Sequence, residues 1–290
     1  MAGRTVLEKL GITKISATDI AGQFWCEKKV ELGHMYGAKR TKYMERGSQL
    51  HEKWQSKVFV PLTVETRNSA DWMYKTAYEN YQTMRSLSEK HVGRELFLYG
   101  SINGYKITGK IDELRIANGK VVVVEDKTTK SDNLDNIYKK SHMIQIMLYR
   151  KLLQDLKESK YAYQNIAASY GIETARMSDE FQKGLVEIGI RDELRSLPAM
   201  FKQMFSSINA MPELDNNLIL RYSDMTSGDV FGEITVSYED SEFSKELIDV
   251  MGYWNGQREA RPVPESERWK CTRCEFFGKQ CTAWYGANNA

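Results

Sequence analysis

The run Gly109-Lys-Ile-Asp112-Glu-Leu-Arg-Ile-Ala117-Asn118-Gly119-Lys120-Val-Val-Val-Val124-Glu125-Asp-Lys127 decides the fold. Asn-Gly between apolar stretches is the strongest short signal for a two-residue type I′ hairpin, since both turn residues must take positive φ. The spacing predicts strands over 105–116 and 120–127, and the unbroken Val121–Val124 predicts a strand buried on both faces. The turn then sets the register. With Ala117 opposite Lys120, stepping outward brings Asp112 opposite Glu125 and Lys110 opposite Lys127. Glu125 and Lys127 share a face because strand side chains alternate with period two.

Opposed residues on one face hold their Cβ atoms about 4.5–5.5 Å apart. Two carboxylates at that distance repel unless a cation sits between them. A hard divalent ion such as Mg²⁺ takes oxygen ligands of this kind. Lys127 would orient or help deprotonate a water, or stabilise charge on a phosphate. Asp112, Glu125 and Lys127 thus form a constellation suited to phosphodiester hydrolysis. A solvated strand end of mixed charge is the plain alternative, and a Val-rich buried strand beside the pair argues against it.

Working outward, Ile15–Ile20 reads as a capped helix start with Ser16 or Thr18 as N-cap, and this helix carries Cys26. Residues 46–54 read as a loop entering a second helix with His51 in an early turn, 70–90 as a helix, and 95–99 as a short strand. Helices are expected over 134–157, 176–209 and 241–258, and a second hairpin over 218–222 and 231–238. Pro262 and Pro264 break the chain before its last segment. This order implies an α/β fold. It reads as one unit: a helical part over 1–93 with Cys26 and His51, a core over 94–156, a helical and hairpin elaboration over 157–260, and a cysteine tail over 261–290.

The chain has 290 residues, enough for a substantial core, and a net charge of +2. A balanced total leaves room for a local basic groove. No apolar run reaches membrane-spanning length, and the N-terminus lacks signal-peptide and transit-peptide patterns. An intracellular, cytoplasmic protein is expected, or a nuclear or mitochondrial one in a eukaryote. In a reducing compartment Cys26, Cys271, Cys274 and Cys281 suit a metal centre better than disulfides. Their spacing fits zinc and [4Fe–4S] alike. Gly104-Tyr-Lys-Ile-Thr-Gly109-Lys110-Ile111 imitates a phosphate-binding loop but lacks its Ser/Thr and lies on a strand, so nucleotide binding is rejected.

These motifs resemble the core of the PD-(D/E)xK nucleases, in their RecB-like branch. Gly109-Lys-Ile-Asp112-Glu-Leu and Val124-Glu125-Asp-Lys127-Thr-Thr match its catalytic hairpin, with Ile111 in place of the superfamily's proline. Gln145-Ile-Met-Leu-Tyr149 matches the QxxxY motif, Arg46-Gly-Ser-Gln-Leu-His51 the histidine motif, and Arg94-Glu95-Leu a further acidic position. One early cysteine and three late ones resemble the iron–sulfur signature of the exonuclease V family and of CRISPR-associated RecB-like nucleases. Trp269-Lys-Cys-Thr-Arg-Cys-Glu-Phe-Phe is closer to exonuclease V. The resemblance implies a PD-(D/E)xK fold and a metal-dependent 5′→3′ single-stranded DNA exonuclease in repair or end processing. It implies that Asp112, Glu125 and His51, with Glu95 as a further candidate, hold Mg²⁺ or Mn²⁺, a histidine suiting Mn²⁺ better. Lys127 would assist the attacking water, and Gln145 and Tyr149 would position DNA. The four cysteines would hold a structural [4Fe–4S] cluster, with zinc as the alternative.

Basic and aromatic residues interleave at Lys39-Arg40-Thr-Lys42-Tyr43, Tyr138-Lys139-Lys140 and Arg150-Lys151. Of these, Lys139, Lys140 and Arg150 are expected to contact DNA. A monomer is expected, with a single-strand-binding protein or helicase as candidate partner. The competing functions are trimming of spacer precursors by a CRISPR-associated nuclease and a non-catalytic DNA-binding scaffold.

Overall fold

The computed structural model describes residues 5–130, 133–137, 139–158, 163–171 and 173–284, apart from the side chains of Tyr43 and Asn136. In chain order these form α1 (Val6–Leu10), β1 (Ile15–Ser16), α2 (Ala17–Tyr36), α3 (Lys42–Gln55) and α4 (Ser69–Lys90). Then come β2 (Val92–Ile102), β3 (Tyr105–Ala117), β4 (Lys120–Thr129) and α5 (Lys140–Lys157). They are followed by α6 (Tyr163–Tyr170), α7 (Asp179–Glu187), α8 (Leu197–Asn209), β5 (Asn217–Asp224), β6 (Val230–Ser237) and α9 (Asp240–Trp254). Short 3₁₀ turns lie at Leu134–Asn136, Asp192–Leu194 and Glu265–Arg273.

Asn118 and Gly119 take φ of +51° and +74° and join β3 to β4 by the expected type I′ geometry. The expected register holds from Ala117–Lys120 out to Glu113–Val124 and then stops. Direct pairing of Asp112 with Glu125 is therefore corrected: the two strands part at that step and form a fork. β4 goes on to pair in parallel with β5 over Val124–Thr129. The edge of β3 that β4 leaves receives β1, paired in parallel with Ile107 and Thr108. β2 runs antiparallel along the other edge of β3, and β6 closes the far side against β5. The result is one six-stranded mixed sheet with helices packed on it, an α/β fold. The second hairpin, expected as an elaboration, continues this sheet.

Burial explains the layers. Val121, Val123 and Val124 are fully buried and Val122 nearly so. α5 lays Ile144, Leu148 and Leu152 on the sheet at helical spacing and packs against α2. Of the two candidate caps, Ser16 starts α2: its Oγ accepts from Asp19 N–H at 3.0 Å, and the Asp19 carboxylate accepts from Ser16 N–H at 2.9 Å.

Several expected boundaries move. Residues 46–54 lie inside α3, so His51 stands in its third turn and not in an early one. Gly47 is tolerated there because a Cβ would come within 3.0 Å of Thr128 Oγ1, where the helix nears β4. The expected helix over 176–209 divides at Gly189, with φ +77°, and restarts with a proline in the first turn of α8. The helix expected over 134–157 begins only at Lys140, and that expected over 241–258 ends at Trp254, shortly before Gly256 at φ +72°. The strand expected over 95–99 extends over Val92–Ile102. Among the described residues no helix is long and apolar enough to cross a membrane.

Candidate active site

Where β3 and β4 part, their side chains divide between two environments. Asp112, Glu125 and Lys127 turn to a cleft of about 570 Å³ or its floor. The cleft is lined also by His51, Glu95 and Lys110, with α3 supplying Ser48, Glu52 and Gln55 as a wall and Arg40 standing just before that helix. Glu113 and Asp126 turn instead to Arg94 and Arg221.

Asp112 is fixed by backbone. Its Oδ2 accepts from Asp126 N–H at 2.8 Å, and its Oδ1 lies 3.2 Å from His51 Nδ1. The same nitrogen lies 3.3 Å from Glu95 Oε1. One ligand atom each of His51, Glu95 and Asp112 thus lies within 4.8 Å of the other two. Glu95 reaches this point through an unusual backbone. It has φ +61° in the middle of β2, and the ladder to β3 passes over it and Asp112, pairing Arg94 with Glu113 and Leu96 with Ile111. Such a conformation costs a non-glycine residue about 1–2 kcal/mol.

Glu125 lies below, almost fully buried. Its Oε1 accepts from Lys127 Nζ at 2.6 Å, and its Oε2 is buried without a hydrogen-bond partner. Burial, then the charge of Asp112, push its carboxyl up to about 8 against the pull of Lys127. His51 shifts up to about 10: burial alone would lower it, but the hydrogen bonds and charges of Asp112 and Glu95 outweigh that. An unpartnered buried carboxylate oxygen next to a His–Glu–Asp trio is a donor set suited to a hard or borderline divalent cation.

The expected pair on α5 meets this group directly. Lys127 Nζ donates to Gln145 Oε1 at 2.8 Å, and Gln145 Nε2 donates to Tyr149 Oη at 2.8 Å. Glu125, Lys127, Gln145 and Tyr149 therefore form one hydrogen-bonded chain across the fork. Gly109 makes room for it, since a Cβ there would lie 2.6 Å from Tyr149 Cε1.

Behind the fork, Arg94 and Arg221 both pair with Glu113 and Asp126; Arg221 Nε meets Asp126 Oδ1 at 2.6 Å. Burial would raise both carboxyls, and the hydrogen bonds and charge of Arg221, with Arg94, hold them below the usual carboxylate range. Sequence reading passed over these four residues. The alternating direction of Asp112-Glu113 and Glu125-Asp126 was the signal that could have found them.

The residues expected to contact DNA are placed otherwise. Lys140 pairs with Glu246 and lies over the Phe24 ring. Arg150 donates to Asn216 at 2.9 Å and stacks over Tyr238. Lys139 is half-buried at the start of α5. None of the three is among the described residues lining the cleft, whereas Arg40 is. Tyr138 lies outside the described residues, as does the side chain of Tyr43.

The four cysteines converge on a second cavity, with Trp25, Leu32, Val263 and Phe277 around them. α2 breaks at Cys26, where φ −170° and ψ 114° are extended. The break frees Lys28 N–H, which donates to the Arg261 carbonyl at 3.1 Å. Glu27 binds Arg258 through both oxygens and Arg261 besides, which fastens the tail to α2. Burial, with the mutual charge of the other thiols, raises Cys26 and Cys271.

Similarity to known proteins points to one family. The family model described as "Exonuclease V - a 5' deoxyribonuclease" matches residues 7–121, 117–200 and 187–285. Exonuclease V of Danio rerio is 24% identical over 277 residues, spanning 90% of this chain and 68% of that protein. The crystal structure of SSO0001 aligns with 93% of this chain and 90% of its own at 12% identity, with a TM-score of 0.40. The family match runs nearly end to end, and with it the chain belongs to the exonuclease V family and is an exodeoxyribonuclease.

Proposed function

We propose that the protein degrades single-stranded DNA from a free end in the 5′→3′ direction, using a divalent ion at the β3–β4 fork, and acts in DNA repair or end processing. The observation that carries this is the convergence of Asp112, Glu95 and His51 above the unpartnered Glu125 Oε2, with Lys127 tied to Glu125 on one side and Gln145 on the other. Bound there, Mg²⁺ or Mn²⁺ would neutralise phosphate charge and acidify a water. Lys127 spends two of its three ammonium hydrogens on Glu125 and Gln145, which fixes its charge at the cleft and leaves one hydrogen for a phosphate or the attacking water. Tyr149 and Gln145 form a fixed polar edge for the strand. The family's description as a 5′ deoxyribonuclease supports the polarity.

We infer that Cys26, Cys271, Cys274 and Cys281 hold a [4Fe–4S] cluster that ties the tail to α2. One zinc with bonds of ~2.3 Å would set its sulfurs about 3.8 Å apart. Among the described residues, no three of the four thiols have sulfurs within 4.8 Å of one another, as a single zinc would require. That supports the four-iron cluster over zinc.

The test is digestion of single strands labelled at either end, with Mg²⁺, Mn²⁺ or EDTA, on anaerobically purified protein. Ion-dependent release of the 5′ label first, from a brown protein absorbing near ~400 nm, is the expected result. A colourless protein that binds strands and leaves them intact would overturn it.

A further inference from the structure

Lys110 lines the same cleft as Lys127 but is held differently. It stands on β3 between Gly109 and Ile111, with its side chain 53% exposed. Its ammonium pairs with Oε2 of Glu95, which is nearly buried and whose Oε1 faces His51. Glu95 is also one of the three residues whose ligand atoms converge. A lysine and a divalent ion therefore compete for one carboxylate. In the sequence this lysine is the one that ends the false phosphate-loop run, a feature the hydrolytic constellation leaves unused.

We propose that Lys110 is a displaceable counter-ion: it neutralises Glu95 until a divalent ion takes that carboxylate, and then carries its charge to a phosphate of the bound DNA. The proposal rests on the metal-binding reading of this site. Glu95 and Asp112 crowd the fork, and Lys110 sits against Glu95 while no ion is bound. Lys127 cannot leave readily, being held on both sides and 19% exposed. Lys110 has a flexible stem and is itself half-exposed, so its single pair with the buried Glu95 yields more readily than the two bonds of Lys127. A dication draws Glu95 more strongly than an ammonium does and repels Lys110 as well. The ammonium is then left at the cleft rim, where the incoming anions are phosphates. Ion binding and strand binding become mutually reinforcing through this one side chain, as linkage requires.

The full-length Lys110→Met and Lys110→Arg variants test this, titrated calorimetrically with Ca²⁺ alone. Binding of a fluorescent phosphorothioate single strand is then followed with and without Ca²⁺ at several salt concentrations. Lys110→Met should bind Ca²⁺ about 2–5-fold more tightly, having lost the competing cation. Its Ca²⁺-loaded form should bind the strand more weakly, with a log K against log salt slope shallower by about 0.7, the single-strand value for one phosphate contact. Without Ca²⁺ its strand affinity should match the parent protein, and Lys110→Arg should retain the parent behaviour throughout. Unchanged or weaker Ca²⁺ affinity in Lys110→Met, or equal salt slopes, overturns the proposal. If Asp112→Asn leaves Ca²⁺ binding of the parent protein unaltered, the metal reading itself fails. Ca²⁺ binding that depends on Asp112 and not on Lys110 sinks the counter-ion role alone.

Discussion

The backbone N–H of Asp126 donates to the Asp112 carboxylate at 2.8 Å, just beyond the last hairpin pair, Glu113–Val124. A side-chain acceptor thus stands where the next ladder bond would have been. The strands can part without stranding that amide, and Asp112 is aimed into the opening. The Asp126 carboxylate, gripped by Arg94 and Arg221, keeps the amide in place.

Removing half of that grip should be costly. Arg221→Met leaves Glu113 and Asp126 short of a buried counter-charge, a change worth about 3–5 kcal/mol, visible as a lower Tm by calorimetry. Both carboxyls have folded pKa values below their ordinary ~3.9–4.3. Their stabilisation is therefore complete above the ordinary values and is lost as pH falls through the folded ones. Without Arg221 the acid-unfolding midpoint should move to higher pH. Identical acid midpoints would contradict the clamp.

Ion binding should release protons. His51 at about 10 and Glu125 at about 8 both carry a proton at neutral pH before an ion arrives. A divalent ion must displace them, so its affinity should rise with pH, steeply below about 8 and more gently up to about 10. Mn²⁺ calorimetry at pH 7 in two buffers of different ionisation heat should give close to two protons released. A buffer-independent heat would be incompatible with this site.

Glu95 trades stability for position. Its φ of +61° suits glycine better than any residue with a Cβ. Glu95→Gly should therefore be more stable than Glu95→Ala, by about 1 kcal/mol in urea unfolding, while both lose ion affinity. Equal stabilities would mean that the backbone there is unstrained.

Gly109 has the opposite constraint, one of space. A Cβ 2.6 Å from Tyr149 must push the ring away and break the Gln145–Tyr149 contact. Gly109→Ala should lose about 1–3 kcal/mol and slow cleavage with Mn²⁺ affinity nearly unchanged. Stability and activity at parental levels would show that Tyr149 moves freely.

The hairpin was legible because a turn and a period-two pattern are local facts, and Asn118-Gly119 fixes both. The fork was not, because the partner that draws β4 away is β5, far along the chain. His51 was found by its motif yet misplaced in its helix, since Gly47 signals a loop until its approach to Thr128 is known. The left-handed backbone of Glu95 leaves no trace in residue type. The pairing of Lys140 with Glu246 and of Arg150 with Asn216 was not legible either, because a basic run in the sequence does not name its long-range partners.

The measurement that bears most directly on the hydrolytic centre is single-turnover cleavage of an end-labelled single strand by Lys127→Ala, paired with strand binding by the same protein. The expected rate is lower by about 10²–10³-fold, with strand affinity within about threefold of the parent, because Lys127 would supply one phosphate contact among several. Cleavage at the parental rate would contradict it and would place the chemistry outside the β3–β4 fork.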